Sequence, residues 1–214
     1  MQPNSPSAIS NLCKLNRFGE TNTPVRTGKT HDFARVRGAQ TERRRKMSTL
    51  NTMVRRAKRG DAEAFIALIE ECRMTLRRVA LGYLGNEEDV ADAIQDTILD
   101  AYEHIGSLKK DEYFKTWLVR ILINRCTKRY RMNQHKAYLE DYSEEARCDA
   151  GNADVEFCEM LSVLPDDSRV IFQLYYGEQF TVREIAQILD MNENTVKSRL
   201  HRGKEQLRVA LGRQ

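Results

Sequence analysis

Residues 181–202 read Thr181-Val182-Arg183-Glu184-Ile185-Ala186-Gln187-Ile188-Leu189, a short break, and then Asn194-Thr195-Val196-Lys197-Ser198-Arg199-Leu200-His201-Arg202. Each segment carries an apolar stripe at helical spacing, formed by Ile185, Ile188 and Leu189 in the first and by Val196 and Leu200 in the second, where Leu207 continues it further along the chain. Ala186 is small enough for a close helix crossing. This stretch therefore predicts two short helices packed at a steep angle, a helix-turn-helix.

The outward face of the second segment is polar and basic. Short hydrogen-bonding side chains near a helix N-terminus suit base edges, and Arg and Lys suit phosphates, so we expect this face to bind DNA. The alternative is an ordinary amphipathic helical hairpin with a solvated basic face. The candidate DNA contacts are Arg183, Asn194, Thr195, Lys197, Ser198, Arg199, His201, Arg202 and Lys204.

Composition argues against membrane, metal and enzyme functions. No run approaches the roughly 20 apolar residues of a membrane-spanning helix, and polar residues interrupt the first thirty positions, so we expect a cytoplasmic protein. The five cysteines and four histidines are scattered without metal-ligand spacing. There is no phosphate-binding glycine loop and no G-x-S-x-G motif. We expect no metal, no cofactor, no small-molecule substrate and no catalytic residue.

Charge is unevenly distributed along the 214 residues, whose formal net charge is +4. Residues 1–46 hold ten Lys and Arg against three Asp and Glu. Further along, residues 87–112 are acidic, 113–136 contain seven bases and no acid, and 191–214 are again basic. Two basic segments alternating with acidic ones suggest two nucleic-acid contacts in a protein that avoids indiscriminate DNA binding.

Residues 1–46 have few large apolar side chains and no periodicity, which predicts disorder. Two explanations stay open. The segment is either a basic arm that helps to grip DNA or the product of a mis-assigned start, with translation beginning at Met47. Purine-rich codons for residues 42–46 would resemble a ribosome-binding site just before that methionine.

The rest of the chain predicts an all-α fold of two small helical domains. In the first, residues 47–131, Asp61 caps a helix that Gly82 and Gly85 end, Asn86 caps a second helix, and a third helix spans 113–131. Residues 132–155 are acidic and poor in large apolar side chains, which predicts a flexible linker. Residues 156–214 form the second domain, which ends in the helix-turn-helix.

The second helix of the first domain has an acidic face opposite its apolar stripe. An exposed Leu99 ringed by acids is typical of a protein-docking surface with a polar rim, although a merely solvated acidic face is the alternative. The candidate docking residues are Glu88, Asp92, Gln95, Asp96, Leu99 and Glu103.

The third helix has a stripe of aromatic, hydroxyl, amide and basic side chains without a carboxylate. Such a stripe suits phosphate contacts together with stacking or hydrogen bonding to unpaired bases. A solvated basic helix is the alternative. The candidate nucleic-acid contacts here are Tyr113, Lys115, Thr116, Arg120, Asn124, Thr127, Lys128 and Arg131.

These elements, in this order, resemble the bacterial RNA polymerase sigma factors, specifically the small extracytoplasmic-function group of the sigma-70 family. The resemblance covers nearly all of residues 55–211. The matching segments are Gly60–Phe65, Asn86–Thr97, Phe114–Leu118 with Asn124 and Arg131, Leu164-Pro165, Arg169, Glu184–Ala186 and Thr195–Leu200.

The resemblance implies a role for each surface. The segment around Asp92, Gln95 and Asp96 would dock on core RNA polymerase, and the segment from Leu108 to Arg131 would read and help to open the minus-ten promoter element. The helix-turn-helix would read the minus-thirty-five element. An anti-sigma factor, often membrane-bound, would hold the protein inactive until an envelope or extracellular stress.

Departures from the family pattern put the promoter sequence in doubt rather than the class. Ile98 stands where Phe is usual, Lys128 where Asp is common, and Asp190 where Gly often fills the turn. A competing hypothesis is a stand-alone helix-turn-helix regulator that binds operators as a dimer, which leaves the acidic helix unexplained. A third is an adaptor that binds polymerase without contacting DNA.

Overall fold

The computed structural model describes residues 48–84, 86–140, 157 and 160–212, with the backbone alone for 134–140 and Leu211. The chain divides into two units, Met1–Thr49 and Leu50–Gln214, and the fold below is that of the second unit. The described residues contain helices and turns but no strand, so the predicted all-α class is confirmed. The expectations for residues 1–46 lie outside the described residues.

Four helices make up an N-terminal half, residues 50–140. They are α1, which ends at Ala57, α2 at Ala62–Leu84, α3 at Glu87–His104 and α4 at Phe114–Glu140. Asp61 Oδ1 accepts a hydrogen bond from the Ala64 amide at 3.0 Å, and Asn86 Oδ1 accepts one from the Asp89 amide at 2.8 Å. Both predicted caps therefore satisfy otherwise unpaired amides of a first helical turn.

The core of the N-terminal half lies between α2, α3 and α4. Phe114, Leu118 and Leu122 of α4 are fully buried, as their four-residue spacing requires. Trp117 and Ile121, one residue before Leu118 and Leu122, are only half-buried. The buried face of α4 is turned towards Val119, Ile123 and Cys126 instead, which all pack in the core.

Two helices extend further than the sequence analysis predicted. Helix α2 continues through Gly82 to Leu84, because a glycine within a helix weakens it without breaking it. Helix α4 continues past residue 131 to Glu140, so residues 132–140 of the predicted linker are helical. That extension contains no Gly or Pro, and Asn133 anchors its start by donating a hydrogen bond to Asp89 Oδ2 at 2.6 Å. Residues 141–155 of the linker lie outside the described residues.

The C-terminal half, residues 160–212, begins in a helical stretch that ends at Leu161, and three longer helices follow among the described residues. They are α5 at Asp166–Phe172, α6 at Val182–Leu189 and α7 at Glu193–Leu211. A π-helical turn, Gln173–Gly177, follows α5 directly. Leu161, Leu164, Phe172, Ile185 and Leu200 are buried in the core of this half.

Local chemistry fixes the helix pair α6 and α7 at the predicted position. Thr181 and Glu184 form a reciprocal capping box at the start of α6, and Asn192 Oδ1 caps α7 through the Asn194 amide. Asp190 ends α6 in the left-handed conformation, with φ of 53°. The turn between the helices is therefore short and well defined.

The two halves pack against each other within this unit. Helix α6 lies along α4, and α5 with the following π-turn lies against α2. Gln173 is buried at this junction, and a Cβ on Gly82 would lie 3.7 Å from its Cγ. Among the described helices, none is long and apolar enough to cross a membrane.

Candidate DNA-binding and protein-docking surfaces

Helix α3 presents its predicted acidic face to solvent. Leu99 is 57% exposed at its centre, and Asp96 is half-buried. The rest of the candidate set is exposed and comprises Glu88, Asp92, Gln95 and Glu103. Tyr102, absent from the predicted set, adds an aromatic ring that is 54% exposed and packs edge-on against Phe65 at 5.1 Å between ring centroids. Its position between the buried stripe and the acidic face hid it from the sequence analysis.

Arg129 of α4 holds the acids of α3 together. Its guanidinium lies 2.9 Å from Asp92 Oδ2, 3.3 Å from Asp89 Oδ1 and 3.7 Å from Asp96 Oδ2. Burial opposes ionisation of Asp89, but hydrogen bonds from Asn86, Asn133 and Arg129 outweigh it and lower the pKa of that carboxyl. Arg129 thus acts as a local counter-ion for the acidic face, and a basic partner would compete with it.

The basic stripe of α4 is open at one end and covered at the other. Arg120, Asn124, Lys128 and Arg131 are exposed, whereas Tyr113 and Lys115 are half-buried and Thr116 is buried. Thr116, one of the eight candidates, is therefore not open to solvent in this arrangement. The covering residues come from the C-terminal half, which the sequence pattern of α4 does not reveal.

Thr127 has internal hydrogen bonds that also limit its availability. Its hydroxyl donates to the Ile123 carbonyl oxygen at 2.8 Å and lies 2.9 Å from the Tyr83 hydroxyl. Because the Thr127 proton is already donated, the Tyr83 hydroxyl is the donor in the second bond. Thr127 therefore ties α4 to α2 rather than pointing freely outward.

Contacts between the halves concentrate on Glu178, which follows the π-turn. Its side chain is only 2% exposed, and it accepts a hydrogen bond from Arg78 Nε at 2.6 Å. Lys115 Nζ lies 3.7 Å from the other carboxylate oxygen and 5.0 Å from the centroid of the Phe180 ring. Thr116 Oγ1 donates to Glu184 Oε1 at 3.4 Å.

The outward face of the helix pair is mostly as predicted. Two members differ. Arg199 is half-buried, with its side chain 26% exposed and 3.1 Å from Asp167 Oδ2, and Lys204 is half-buried with its ammonium 5.9 Å from the Tyr176 ring centroid. Exposed candidates are Arg183, Asn194, Thr195, Lys197, Ser198, His201 and Arg202.

Two thiols of the N-terminal half, those of Cys72 and Cys126, are buried. Burial raises the pKa of Cys72 to about 11 and the pKa of Cys126 to about 12, so both stay protonated near neutral pH. Within the described part of the chain, no group of His, Cys, Asp and Glu is arranged to hold a metal ion.

Comparison with known proteins assigns both halves. The family model described as "Sigma-70 region 2" matches residues 68–136, and that described as "Sigma-70, region 4" matches residues 155–207. The ECF RNA polymerase sigma factor SigM of Mycobacterium tuberculosis is 31% identical over 156 residues, which cover 72% of this chain and 80% of SigM. The chain belongs to the extracytoplasmic-function group of the sigma-70 family. The sequence-based identification is therefore confirmed.

Other relatives of this sigma factor match it over most of their own length. The ECF RNA polymerase sigma factor SigW of Bacillus subtilis is 29% identical over 176 residues, 74% of this chain and 94% of SigW. Two solved structures share the fold. One is CnrH with the cytosolic domain of CnrY, at a TM-score of 0.61 and 24% identity, covering 77% of this chain and 97% of that one. The other is RpoE with the anti-sigma factor NepR from Bartonella quintana, at a TM-score of 0.60 and 22% identity, covering 71% of this chain and 98% of that one.

Proposed function

We propose that this sigma factor binds core RNA polymerase through the acidic face of α3 and directs promoter-specific initiation through α4 and the pair α6–α7. One observation carries the proposal: an acidic face with an exposed apolar centre, Leu99, and two separate basic faces occur on one chain. The acidic face suits a basic protein partner, since like charge repels DNA from it. The basic faces suit phosphates.

The role of each surface follows from its chemistry. Residues 47–131 would form the domain that docks on polymerase and contacts the minus-ten element, where Asn124, Lys128 and Arg131 are exposed in a row along α4. Residues 156–214 would form the domain that contacts the minus-thirty-five element through Asn194, Lys197 and their neighbours. A sigma factor is an initiation factor, and the surfaces bind rather than catalyse.

We also infer control by an anti-sigma factor in an envelope or extracellular stress response. The solved relatives CnrH and RpoE were each captured with a partner, CnrY and the anti-sigma factor NepR respectively. A protein that works on polymerase and promoter DNA belongs in the cytoplasm, where an anti-sigma factor anchored in the membrane would hold it.

The docking assignment is tested with Leu99→Ala in the full chain. Leu99 is exposed, so its truncation leaves the core intact while removing the apolar centre of the surface. We expect affinity for purified core polymerase to fall about tenfold, the effect of losing one central contact. Val209→Ala is the matched control, because Val209 is an equally exposed aliphatic residue on α7.

Fluorescence-detected titration of labelled protein with core polymerase gives the two affinities. Equal affinity for Leu99→Ala and Val209→Ala would contradict docking through α3. Failure of the unaltered protein to bind core polymerase at all would contradict the proposed function itself and favour the operator-binding regulator.

A further inference from the structure

The basic end of α4 is covered by the C-terminal half of the same chain. Two of the candidate minus-ten contacts lie against this half: Thr116 is buried and donates to Glu184, and Lys115 is half-buried with its ammonium 3.7 Å from Glu178. Arg120 lies 3.8 Å from Asp190 of the same half, although Asp190 is 91% exposed and that pair is weak. Promoter DNA cannot occupy this end of α4 while the C-terminal half covers it.

Of these acids, Glu178 is the best placed to hold the C-terminal half against the basic end of α4. It is nearly inaccessible to solvent and meets two cations of the N-terminal half, Arg78 and Lys115. A carboxylate in that position imitates a DNA phosphate, since both accept charge-assisted hydrogen bonds from the same basic groups. The local backbone is unusual on both sides of this carboxylate: a π-turn precedes Glu178, and Gln179 after it adopts φ of 61°.

An ionic contact also suits two halves that pack together and later have to separate. A buried ion pair contributes little net stability compared with apolar packing, because desolvation offsets most of its attraction. When the halves separate, Glu178, Arg78 and Lys115 are hydrated again at low cost. The acidic face of α3 stays exposed in the closed arrangement, so closure hides the DNA-binding end of α4 while leaving the docking face open.

We propose that Glu178 is an internal competitor for promoter DNA: paired with Arg78 and Lys115, it holds the C-terminal half over the start of α4 until the halves separate. The inference rests on the proposed function, because it assumes that α4 contacts DNA. If the open form is a minor fraction of the free protein, apparent DNA affinity is reduced by that fraction.

The test compares Glu178→Lys with Glu63→Lys in the full chain. Both substitutions change the net charge equally, but Glu63 is exposed in the first turn of α2, away from the contact between Glu178, Arg78 and Lys115. Binding is measured by fluorescence anisotropy with a fluorescein-labelled, mixed-sequence single-stranded DNA of about 20 nucleotides at low salt. Small-angle scattering of the same samples reports compactness.

We expect Glu178→Lys to bind this DNA several-fold more tightly than Glu63→Lys and to have a larger radius of gyration. If lysine at position 178 disturbs folding, Glu178→Gln and Glu63→Gln form a milder pair for the same comparison. Circular dichroism checks that the helices remain in each variant. Equal DNA affinity and equal compactness within both pairs would overturn the proposal. Run-off transcription by the unaltered protein separates the outcomes, since a transcript upholds the sigma-factor assignment whatever Glu178 does.

Discussion

Gly203 of α7 lies so close to Phe172 of α5 that a Cβ on Gly203 would stand 2.5 Å from Cε2 of the ring. Phe172 is fully buried, and Leu164 closes the other side of the glycine at 3.5 Å. The backbone of α7 therefore packs directly on an aromatic ring. This contact sets the position of α7 on the C-terminal core.

Gly203→Ala should destabilise the C-terminal half. The added methyl cannot fit without moving the buried ring, and overpacking of this kind costs about 1–3 kcal/mol. Chemical denaturation followed by circular dichroism measures the loss. Gly106→Ala is the control, because a Cβ there meets nothing within 4 Å. Equal stability of the two variants would show that Phe172 moves freely aside.

Asp190→Gly should stabilise the same half. Asp190 occupies the left-handed region with φ of 53°, where a side chain is unfavourable and glycine is not. We expect a gain of about 0.5–1 kcal/mol, seen as a higher midpoint of thermal unfolding. Asp190→Ala keeps the strain while removing the same carboxylate, so it should show no such gain.

Lys197→Ala should affect promoter binding, whereas Arg199→Ala should affect mainly stability. Lys197 is exposed on α7, so its loss should weaken promoter binding and reduce its salt dependence by roughly one phosphate contact. Arg199 is half-buried beside Asp167, so its loss should act mainly on stability. Binding to a minus-thirty-five duplex at several salt concentrations, together with thermal unfolding, separates the two. The reverse pattern would mean that Arg199 turns outward to contact DNA.

Asp111 should make the N-terminal half sensitive to acid. Lys58 Nζ donates to Asp111 Oδ1 at 2.7 Å and, despite opposing burial, this bond and that from Arg55 lower the pKa of the carboxyl. A lowered folded-state pKa gives stability that is present above the unfolded value of about 3.9 and is lost as pH falls through the folded value.

Asp111→Asn should accordingly lose up to about 1 kcal/mol near neutral pH, a modest value because the ion pairs are partly exposed. The variant should also show a shallower stability decline than the unaltered protein below about pH 4. Thermal unfolding across that range tests the point, with exposed Glu112→Gln as control. Parallel pH profiles for all three proteins would count against Asp111.

Local features were predictable from the sequence because local chemistry decides them. Asp61 and Asn86 cap helices through amides three residues away, and Thr181 and Glu184 form a capping box at the same spacing. The apolar spacing also placed the acidic face of α3 correctly. The turn residue Asp190, noted as unusual, proved to be left-handed.

Features that depend on distant residues were not predictable. Thr116 is covered by Glu184, 68 positions away, and Arg78 meets Glu178, 100 positions away. No helical periodicity contains that information. The same reason explains why Arg199, a candidate DNA contact, proved to be half-buried beside Asp167: the pattern gives the polar side of a helix, but not what packs upon it.

Run-off transcription tests the central claim most directly. Full-length protein is mixed with purified core RNA polymerase and fragmented genomic DNA from its source organism, and the transcripts are sequenced. We predict discrete start sites, with shared minus-ten and minus-thirty-five elements, that require both the polymerase and this chain. Transcripts that are the same with and without the chain would contradict its role as a promoter-specific initiation factor.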